Sequence, residues 1–157
     1  MAHSVFTQTV DAVMVRDVVC IRASDRLDHA VDVMMETGCS ALPVIDERGR
    51  CVGILAAMDM LGPAHQVEDQ LQMGTDLVRS LAEAAEVTGL AQRLVQEAMT
   101  SHVVAVSPLA TLPTAAALML HEQVHHLVVL RTDGTLQGIL STMDVLQSLV
   151  ESAARSM

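Results

Sequence analysis

The feature that most constrains this chain is an internal repeat with a period of 85 residues. Residues 11–61 align with residues 96–146 without a gap and are identical at 15 of 51 positions. The longest shared pattern is G-I-L-x-x-M-D-x-L, which begins at Gly53 in the first copy and at Gly138 in the second. Shared composition does not produce so ordered a string, so the chain is a tandem of two similar units.

Each copy predicts the element order β-α-β-β-α, which places the chain in the α/β (α+β) class. In the first copy a short apolar run at 18–21 has strand character, and apolar residues follow from Leu27 at the spacing of one helix face. Gly38 can end that helix, and a polar turn closed by Gly49 then joins two further strands. A second, short helix is expected from about Ala56. The second copy repeats this order at 103–106, 112–120, 126–140 and from Ser141.

The repeat divides the chain into three predicted segments: a first repeat at 10–62, a connector at 63–95 and a second repeat at 96–150. The connector is predicted to be helical. Thr75 can cap a helix there, and Gly89 can close it. The apolar side of this helix either covers the sheets of its own chain or packs on a partner, and both interpretations stay open.

Composition excludes several functional classes. Apolar residues make up 51% of the chain and charged residues 18%, which argues strongly against disorder. One Phe and no Trp or Tyr exclude a nucleic-acid surface built from stacked aromatic rings. The chain contains no Lys, so Schiff-base chemistry and the P-loop lysine are excluded. A net charge of −10 disfavours binding to nucleic-acid backbones and to anionic membranes.

No segment has the pattern of a transmembrane helix or of a secretory signal, so we expect a cytoplasmic protein. The three cysteines, which are odd in number and lack C-x-x-C spacing, are expected to be reduced thiols.

The A-L-P-V-I-D strand at 41–46 and the G-I-L-S-T-M-D segment at 138–144 resemble a tandem pair of cystathionine β-synthase (CBS) domains, often called a Bateman module. The resemblance covers residues from about 10 to 149. It implies two α/β repeats related by pseudo-twofold symmetry. It also implies a regulatory homodimer, not an enzyme, that binds an adenosine-containing ligand: AMP, ADP or ATP, or in some members S-adenosylmethionine or NAD.

The second copy carries the stronger candidate site, in the segment Ser141-Thr142-Met143-Asp144. A helix N-terminus offers unpaired N–H groups that suit a phosphate, and a carboxylate accepts hydrogen bonds from ribose hydroxyls. The family pattern Gly-hydrophobic-x-Ser/Thr-x-x-Asp matches Gly138, Ser141 and Asp144. The alternative is that Ser141 and Asp144 only form a capping box.

The first copy keeps Asp59 but has Ala56 and Ala57 where the second copy has hydroxyls, so phosphate contact is less expected there. The resemblance implies that each site is shared between the copies. It places Asp144 opposite Val18, Val19, Ser40 and Ala41. It places Asp59 opposite Val103, Val104, His125 and His126. The two histidines would touch phosphate; alternatively, they only begin a partly exposed strand.

These assignments predict two unequal sites. Adenine nucleotide is expected to bind first at Asp144 near neutral pH. Binding at Asp59 is expected to strengthen as the pH falls, because imidazoles with an ordinary pKa near 6.5 gain charge in mild acid.

A competing motif is the H-E-x-x-H string from His121 to His125, which is typical of zinc metalloproteases. That chemistry needs both histidines on one face of a continuous helix. The repeat aligns Gln123 with Gly38, a predicted helix end, so His125 should lie beyond the helix. We therefore expect no metal site.

Three hypotheses remain, in this order. The first is a stand-alone regulatory module that binds an adenosine-containing ligand and signals in trans to a client protein. The second is a ligand-free structural or interaction module of the same fold, and the third is a zinc hydrolase. A homodimer is expected because a lone copy would leave helix faces exposed at Met34, Met35, Met119 and Leu120. Either these faces or the short second helices are expected at its interface.

Overall fold

A computed structural model describes residues 4–61, 78–83 and 89–156. The chain divides into two compact units. The terminal unit comprises Met1–Val18 and Val103–Met157, and the central unit comprises Val19–His102. The predicted mixed α/β class is confirmed, with one three-stranded sheet in each unit.

In the central unit the described elements follow the predicted β-α-β-β order. They are β1 (Ile21–Arg22), α1 (Leu27–Thr37), β2 (Ala41–Ile45) and β3 (Cys51–Ala56), followed by a 3-10 helix (Ala57–Leu61). A helical segment, α2, is described over 78–83, and a short helix, α3, spans Val95–Ala98. Within the connector, Val78 and Leu81 are buried in the core of this unit. The predicted cap Thr75 lies outside the described residues.

The terminal unit repeats this order. It contains 3-10 turns at Val5–Thr7 and Val10–Ala12, then β4 (Ala105–Val106), α4 (Leu112–Glu122), β5 (His126–Leu130), β6 (Leu136–Ser141) and α5 (Thr142–Arg155). In both sheets the first strand pairs parallel to the second, and the second pairs antiparallel to the third. The second helix of this repeat is longer than expected, since α5 has 14 residues.

Both hairpins close through a glycine in the left-handed region, as the turn pattern predicted: φ is 76° at Gly49 and 85° at Gly134. Helices α1 and α4 also end in this region, at Gly38 (φ 72°) and at Gln123 (φ 56°). Gln123 is the one non-glycine residue with positive φ in the described part of the chain. The repeat alignment therefore located both helix ends correctly.

Helices α1 and α4 bury only part of the apolar faces that the sequence periodicity predicted. Met34 and Met119 are 1% and 4% exposed and lie in the cores of their own units, so it was wrong to place them on an exposed face. Met35 and Leu120 do remain exposed, at 47% and 81%. Successive side chains of a helix project in different directions. Only the first residue of each adjacent pair, Met34 or Met119, therefore packs in the core.

The compact units do not follow the boundaries of the sequence repeats. Val15, in the first repeat, exchanges both backbone hydrogen bonds with Ile139 of β6 (2.9 and 3.1 Å). Thr100, in the second repeat, does the same with Ile54 of β3 (3.0 and 2.9 Å). Each repeat therefore gives its leading segment to the sheet of the other repeat. Among the described residues, no helix is long and apolar enough to cross a bilayer.

Candidate functional site

The two candidate aspartates occupy equivalent positions just after the last strand of each sheet. Asp144 Oδ2 accepts a hydrogen bond from the Ser141 N–H at 2.8 Å, and Asp59 Oδ2 accepts one from the Ala56 N–H at 2.9 Å. Each carboxylate is thereby held against the backbone where its sheet passes into a helix. In the part of the chain that the structure describes, the Oδ1 atom of Asp144 accepts no hydrogen bond.

The hydroxyl of Ser141 distinguishes the Asp144 position from the Asp59 position. Its Oγ accepts the Asp144 N–H at 3.1 Å, which completes a capping box at the start of α5. Ala56 has no such oxygen, and the chain after it continues as a 3-10 helix. The predicted capping role is therefore present at Ser141 and Asp144. It uses one carboxylate oxygen of Asp144, Oδ2.

Burial shifts the pKa of two side chains at the candidate sites, Asp59 and His126. Burial raises the pKa of the Asp59 carboxyl above its usual range, and the hydrogen bond from Ala56 only partly offsets this. Burial also lowers the pKa of His126, and the neighbouring His125 lowers it further, while Asp144 acts in the opposite direction. His126 is therefore neutral near pH 7 and gains charge at a lower pH than the ordinary imidazole assumed from the sequence.

The predicted site residues are distributed over both units. Those in the terminal unit are Val18, Val103, Val104, His125, His126, Ser141, Thr142 and Asp144. Those in the central unit are Val19, Ser40, Ala41 and Asp59. Within the terminal unit, the Thr142 N–H donates to the His125 carbonyl at 3.0 Å, and β5 pairs His126 with Ser141. The structure thus brings both histidines to the start of α5.

The central unit repeats these contacts with residues that have fewer polar side chains. The Ala57 N–H donates to the Ser40 carbonyl at 2.8 Å, and Ala41 pairs with Ala56. Around Asp59 the described residues Ser40, Ala41, Ala56 and Ala57 therefore offer one hydroxyl, where the terminal unit offers two hydroxyls and two imidazoles.

Asp144 also lines a cavity of about 280 Å³ between α5 and the N-terminal segment of the terminal unit. The other lining residues are Gln8, Ala12, Val13, Gln147, Ser148, Glu151 and Arg155. Sequence analysis missed all of them. The polar residues of α5 that line it recur at the spacing of one helix face, which is the signal that could have pointed to them.

The H-E-x-x-H string does not form a metalloprotease site. Helix α4 ends at Glu122, and His125 lies beyond the left-handed turn at Gln123. The His121 ring is exposed, and its Nδ1 lies 3.1 Å from Glu122 Oε1. No group of three or more His, Cys, Asp or Glu side chains suited to a metal is found within residues 4–61, 78–83 and 89–156.

The fold and the paired aspartate positions define a tandem of two βαββα repeats. The family model "CBS domain" matches residues 10–62 and 95–151. The chain belongs to the CBS domain family, and as a tandem pair it forms a Bateman module. This confirms the resemblance to a tandem pair of CBS domains.

Three comparisons illustrate the relationship. The chain is 31% identical over 139 residues to the 5'-AMP-activated protein kinase subunit gamma-3 of Sus scrofa, covering 88% of this chain and 24% of the relative. It therefore spans about a quarter of that protein.

Two solved structures share the fold. The first is CBSX2 in complex with AMP, a protein of Arabidopsis thaliana, with a TM-score of 0.68, 24% identity and coverage of 92% and 97%. The second is the CBS domain pair of protein MJ0100 in complex with 5'-methylthioadenosine and S-adenosyl-L-methionine, with a TM-score of 0.69, 16% identity and coverage of 92% and 98%.

Proposed function

We propose that this chain is a regulatory module that binds an adenosine-containing ligand at Asp144 and signals to a client protein in trans. The observation that carries the proposal is the Asp144 carboxylate. One of its oxygens is fixed by the Ser141 N–H, and the other accepts no hydrogen bond among the described residues. A carboxylate held in this way is suited to accept hydrogen bonds from ribose hydroxyls.

The surroundings of Asp144 support this assignment over the ligand-free alternative. The cavity beside it is close in size to the smaller ligand sites of proteins. Thr142 adds a hydroxyl at the first turn of α5, next to the capping box formed by Ser141 and Asp144. The ligand is drawn from the class that the named relatives bind, since CBSX2 is described with AMP and MJ0100 with two adenosyl compounds.

The proposal is tested by thermal unfolding of the full chain with adenosine, AMP, ATP, 5'-methylthioadenosine, S-adenosylmethionine and NAD. A ligand at about 100 times its Kd adds about 2.7 kcal/mol to the free energy of unfolding. For a chain of this length that raises Tm by roughly 5–10 °C. Asp144→Ala should remove most of the ligand-induced rise.

Asp59→Ala is the matched control, because Asp59 makes the same backbone hydrogen bond in the central unit. It should lower the unliganded Tm in the same way and keep the ligand-induced rise. If no adenosine-containing compound shifts Tm at millimolar concentration, the ligand-free alternative replaces this proposal. Equal loss of the rise in both variants would also contradict it.

We further infer that the chain acts as a homodimer, with α5 at the contact. Met143, Leu146, Leu149 and Val150 are 41–69% exposed and lie on one side of α5. Its polar residues Asp144, Gln147 and Glu151 line the cavity on another side. An exposed apolar helix face next to an inward polar face indicates a surface that a second copy can cover.

A further inference from the structure

The imidazole of His126 lies beside the hydrogen bonds that position Asp144. His126 begins β5 and pairs with Ser141, the last residue of β6. Directly opposed residues of an antiparallel pair project their side chains to the same face, with Cβ atoms about 5 Å apart. Ser141 and Asp144 are themselves joined by two hydrogen bonds, of 2.8 and 3.1 Å. The ring therefore lies on the same face as the capping box that begins α5.

Both the ring and the carboxylate keep an open hydrogen-bonding position among the described residues. The Ser141 N–H uses Asp144 Oδ2, and Oδ1 accepts no hydrogen bond there. The His126 ring is partly buried and likewise makes no hydrogen bond within that part of the chain. A charged imidazole has two N–H donors, and its hydrogen bonds to a carboxylate oxygen are among the strong ones. Protonation of the ring therefore provides a donor suited to Oδ1.

Two titratable neighbours act on the charge of this ring. Asp144, on α5, favours the charged form, and His125, just before β5, opposes it. The adjacent strands β4 and β6 have no ionisable side chain, and at the end of α4 the side chains of His121 and Glu122 interact with each other. Burial is the largest effect, and it lowers the pKa of His126. The ring is therefore neutral near pH 7 and gains charge in acid.

The central unit has the same carboxylate without this ring. Asp59 accepts the equivalent hydrogen bond from Ala56, but Ala41 occupies the position of His126 and pairs with Ala56. The two sheets have the same register, so the fold does not require an imidazole at this position. The histidine is thus a feature of the Asp144 site and not of the repeat.

We propose that His126 regulates the ribose site by competing for Asp144 Oδ1. In acid the charged ring binds this oxygen and prevents its hydrogen bond to a ribose hydroxyl, and near neutral pH the uncharged ring leaves the oxygen available. Protonation and ligand binding oppose each other, so affinity decreases as the pH falls. The inference rests on the proposed function, because the ribose is placed at Asp144. It goes further by assigning the residue that regulates this site and the sign of its pH dependence.

The first experiment follows the titration of the ring itself, without ligand. NMR of the histidine-labelled full chain from about pH 8 to about pH 4.5 gives its midpoint, with His126→Gln used to assign the signal. Asp144→Asn removes the charge but keeps an acceptor for the Ser141 N–H, so the midpoint should move to lower pH. Asp59→Asn is the matched control and should leave it unchanged. If only Asp59→Asn moves the midpoint, the ring faces the other carboxylate and the inference is overturned.

The second experiment measures the affinity for adenosine by calorimetric titration of the full chain. Adenosine has no phosphate that a charged imidazole could attract. Between about pH 7.5 and about pH 5 its affinity should fall about threefold or more in the unsubstituted protein. In His126→Gln most of this decrease should disappear. His29→Gln is the control, since it changes an exposed histidine of α1 in the central unit and should preserve the decrease.

The outcomes separate this inference from the proposed function. An affinity that does not change with pH in the unsubstituted protein, or a decrease that survives in His126→Gln, would overturn the inference. If Asp144→Ala still weakens adenosine binding in either case, the proposed function stands without it. If adenosine binds at neither pH, the inference is overturned, and the proposed function stands only if another adenosine-containing ligand binds and Asp144→Ala weakens it.

Discussion

Gln123 ends α4 in a conformation that glycine adopts at the end of α1. Its φ is 56°, and side chains with a Cβ are strained in this region. We expect Gln123→Gly to raise the free energy of unfolding by about 0.5–1 kcal/mol, because the relief of strain exceeds the added flexibility of the unfolded chain. Chemical denaturation followed by circular dichroism measures the change.

Gly38→Ala provides the reverse experiment. A Cβ at Gly38 meets no atom within 4 Å, so the φ of 72° alone sets the cost. It should lower stability by about 1–2 kcal/mol. If Gln123→Gly destabilised the chain, contacts of the glutamine side chain would outweigh its backbone strain.

Asp59 should make stability depend on pH in an unusual direction. Because burial raises its pKa in the folded state, the folded chain binds more protons there than the unfolded chain. Its contribution to stability is therefore lost as the pH rises from about 3.8 through the folded pKa. Asp59→Asn should gain stability relative to the unsubstituted protein over this interval, as measured by denaturation at a series of pH values.

Asp133→Asn should change the pH dependence of stability in the direction opposite to Asp59→Asn. Hydrogen bonds from Thr135 lower the pKa of Asp133, so its contribution to stability is present above the unfolded pKa and is lost as the pH falls.

A difference in stability between Asp59→Asn and the unsubstituted protein that does not change with pH would contradict the effect of burial assigned to Asp59.

At the scale of single residues, the repeat predicted equivalent positions for Asp144 and Asp59, and the structure has both carboxylates in the same backbone hydrogen bond after the last strand of each sheet. The sequence did not locate Glu151 or Arg155, since these residues lie beyond the aligned copies and have no counterpart to compare with. It also misjudged His126. An ordinary pKa follows from the residue type, but the lowered pKa comes from burial beside His125, which only the folded chain creates.

At the scale of elements, Gly138 and Gly53 each leave the space in which a methionine of the other repeat's leading segment lies. A Cβ at Gly138 would lie 2.7 Å from the Val15 carbonyl oxygen and 2.8 Å from Met14 Sδ. At Gly53 it would lie 2.8 Å from both the Thr100 carbonyl oxygen and Met99 Sδ. The glycines thus allow the leading segment of one repeat to lie against the last strand of the other.

Gly138→Ala should therefore weaken the docking of residues 14–15 on β6. The methionine side chain can move, but the Val15 carbonyl is backbone and must shift together with its hydrogen bonds to Ile139. We expect a loss of about 1–3 kcal/mol in unfolding free energy, the usual cost of overpacking. Hydrogen exchange should also become faster at the Val15 and Ile139 amides.

The double variant Gly138→Ala with Met14→Ala separates the two contacts. It removes the sulfur and keeps the carbonyl clash, so the amides should still exchange faster than in Met14→Ala alone. Restoration of slow exchange would assign the close approach to the methionine and not to the backbone.

The strands and helices of each repeat were predictable because apolar runs, helical periodicity and turn glycines are local signals. The exchange of leading segments was not predictable. Met14 aligns with Met99, and the alignment cannot show that Met14 packs on Gly138 while Met99 packs on Gly53. That choice depends on which sheet each segment reaches after folding.

At the scale of the whole molecule, the exposed face of α5 determines the expected assembly. Its four large apolar side chains, Met143, Leu146, Leu149 and Val150, form a patch on the order of a few hundred Å², the size at which apolar patches mark contact surfaces. None of the four is charged. The patch itself therefore adds no charge repulsion between two copies that each carry a charge of −10.

Leu146→Glu should convert the dimer into a monomer, because each contact would then bury two uncompensated carboxylates related by symmetry. Light scattering after size exclusion should give twice the 16.8 kDa of one chain for the unsubstituted protein at micromolar concentration, and 16.8 kDa for the variant. Leu109→Glu is the matched control, since Leu109 is 76% exposed in the loop before α4, and it should remain dimeric. A monomeric unsubstituted protein, or a dimer that tolerates glutamate at Leu146, would remove α5 from the interface.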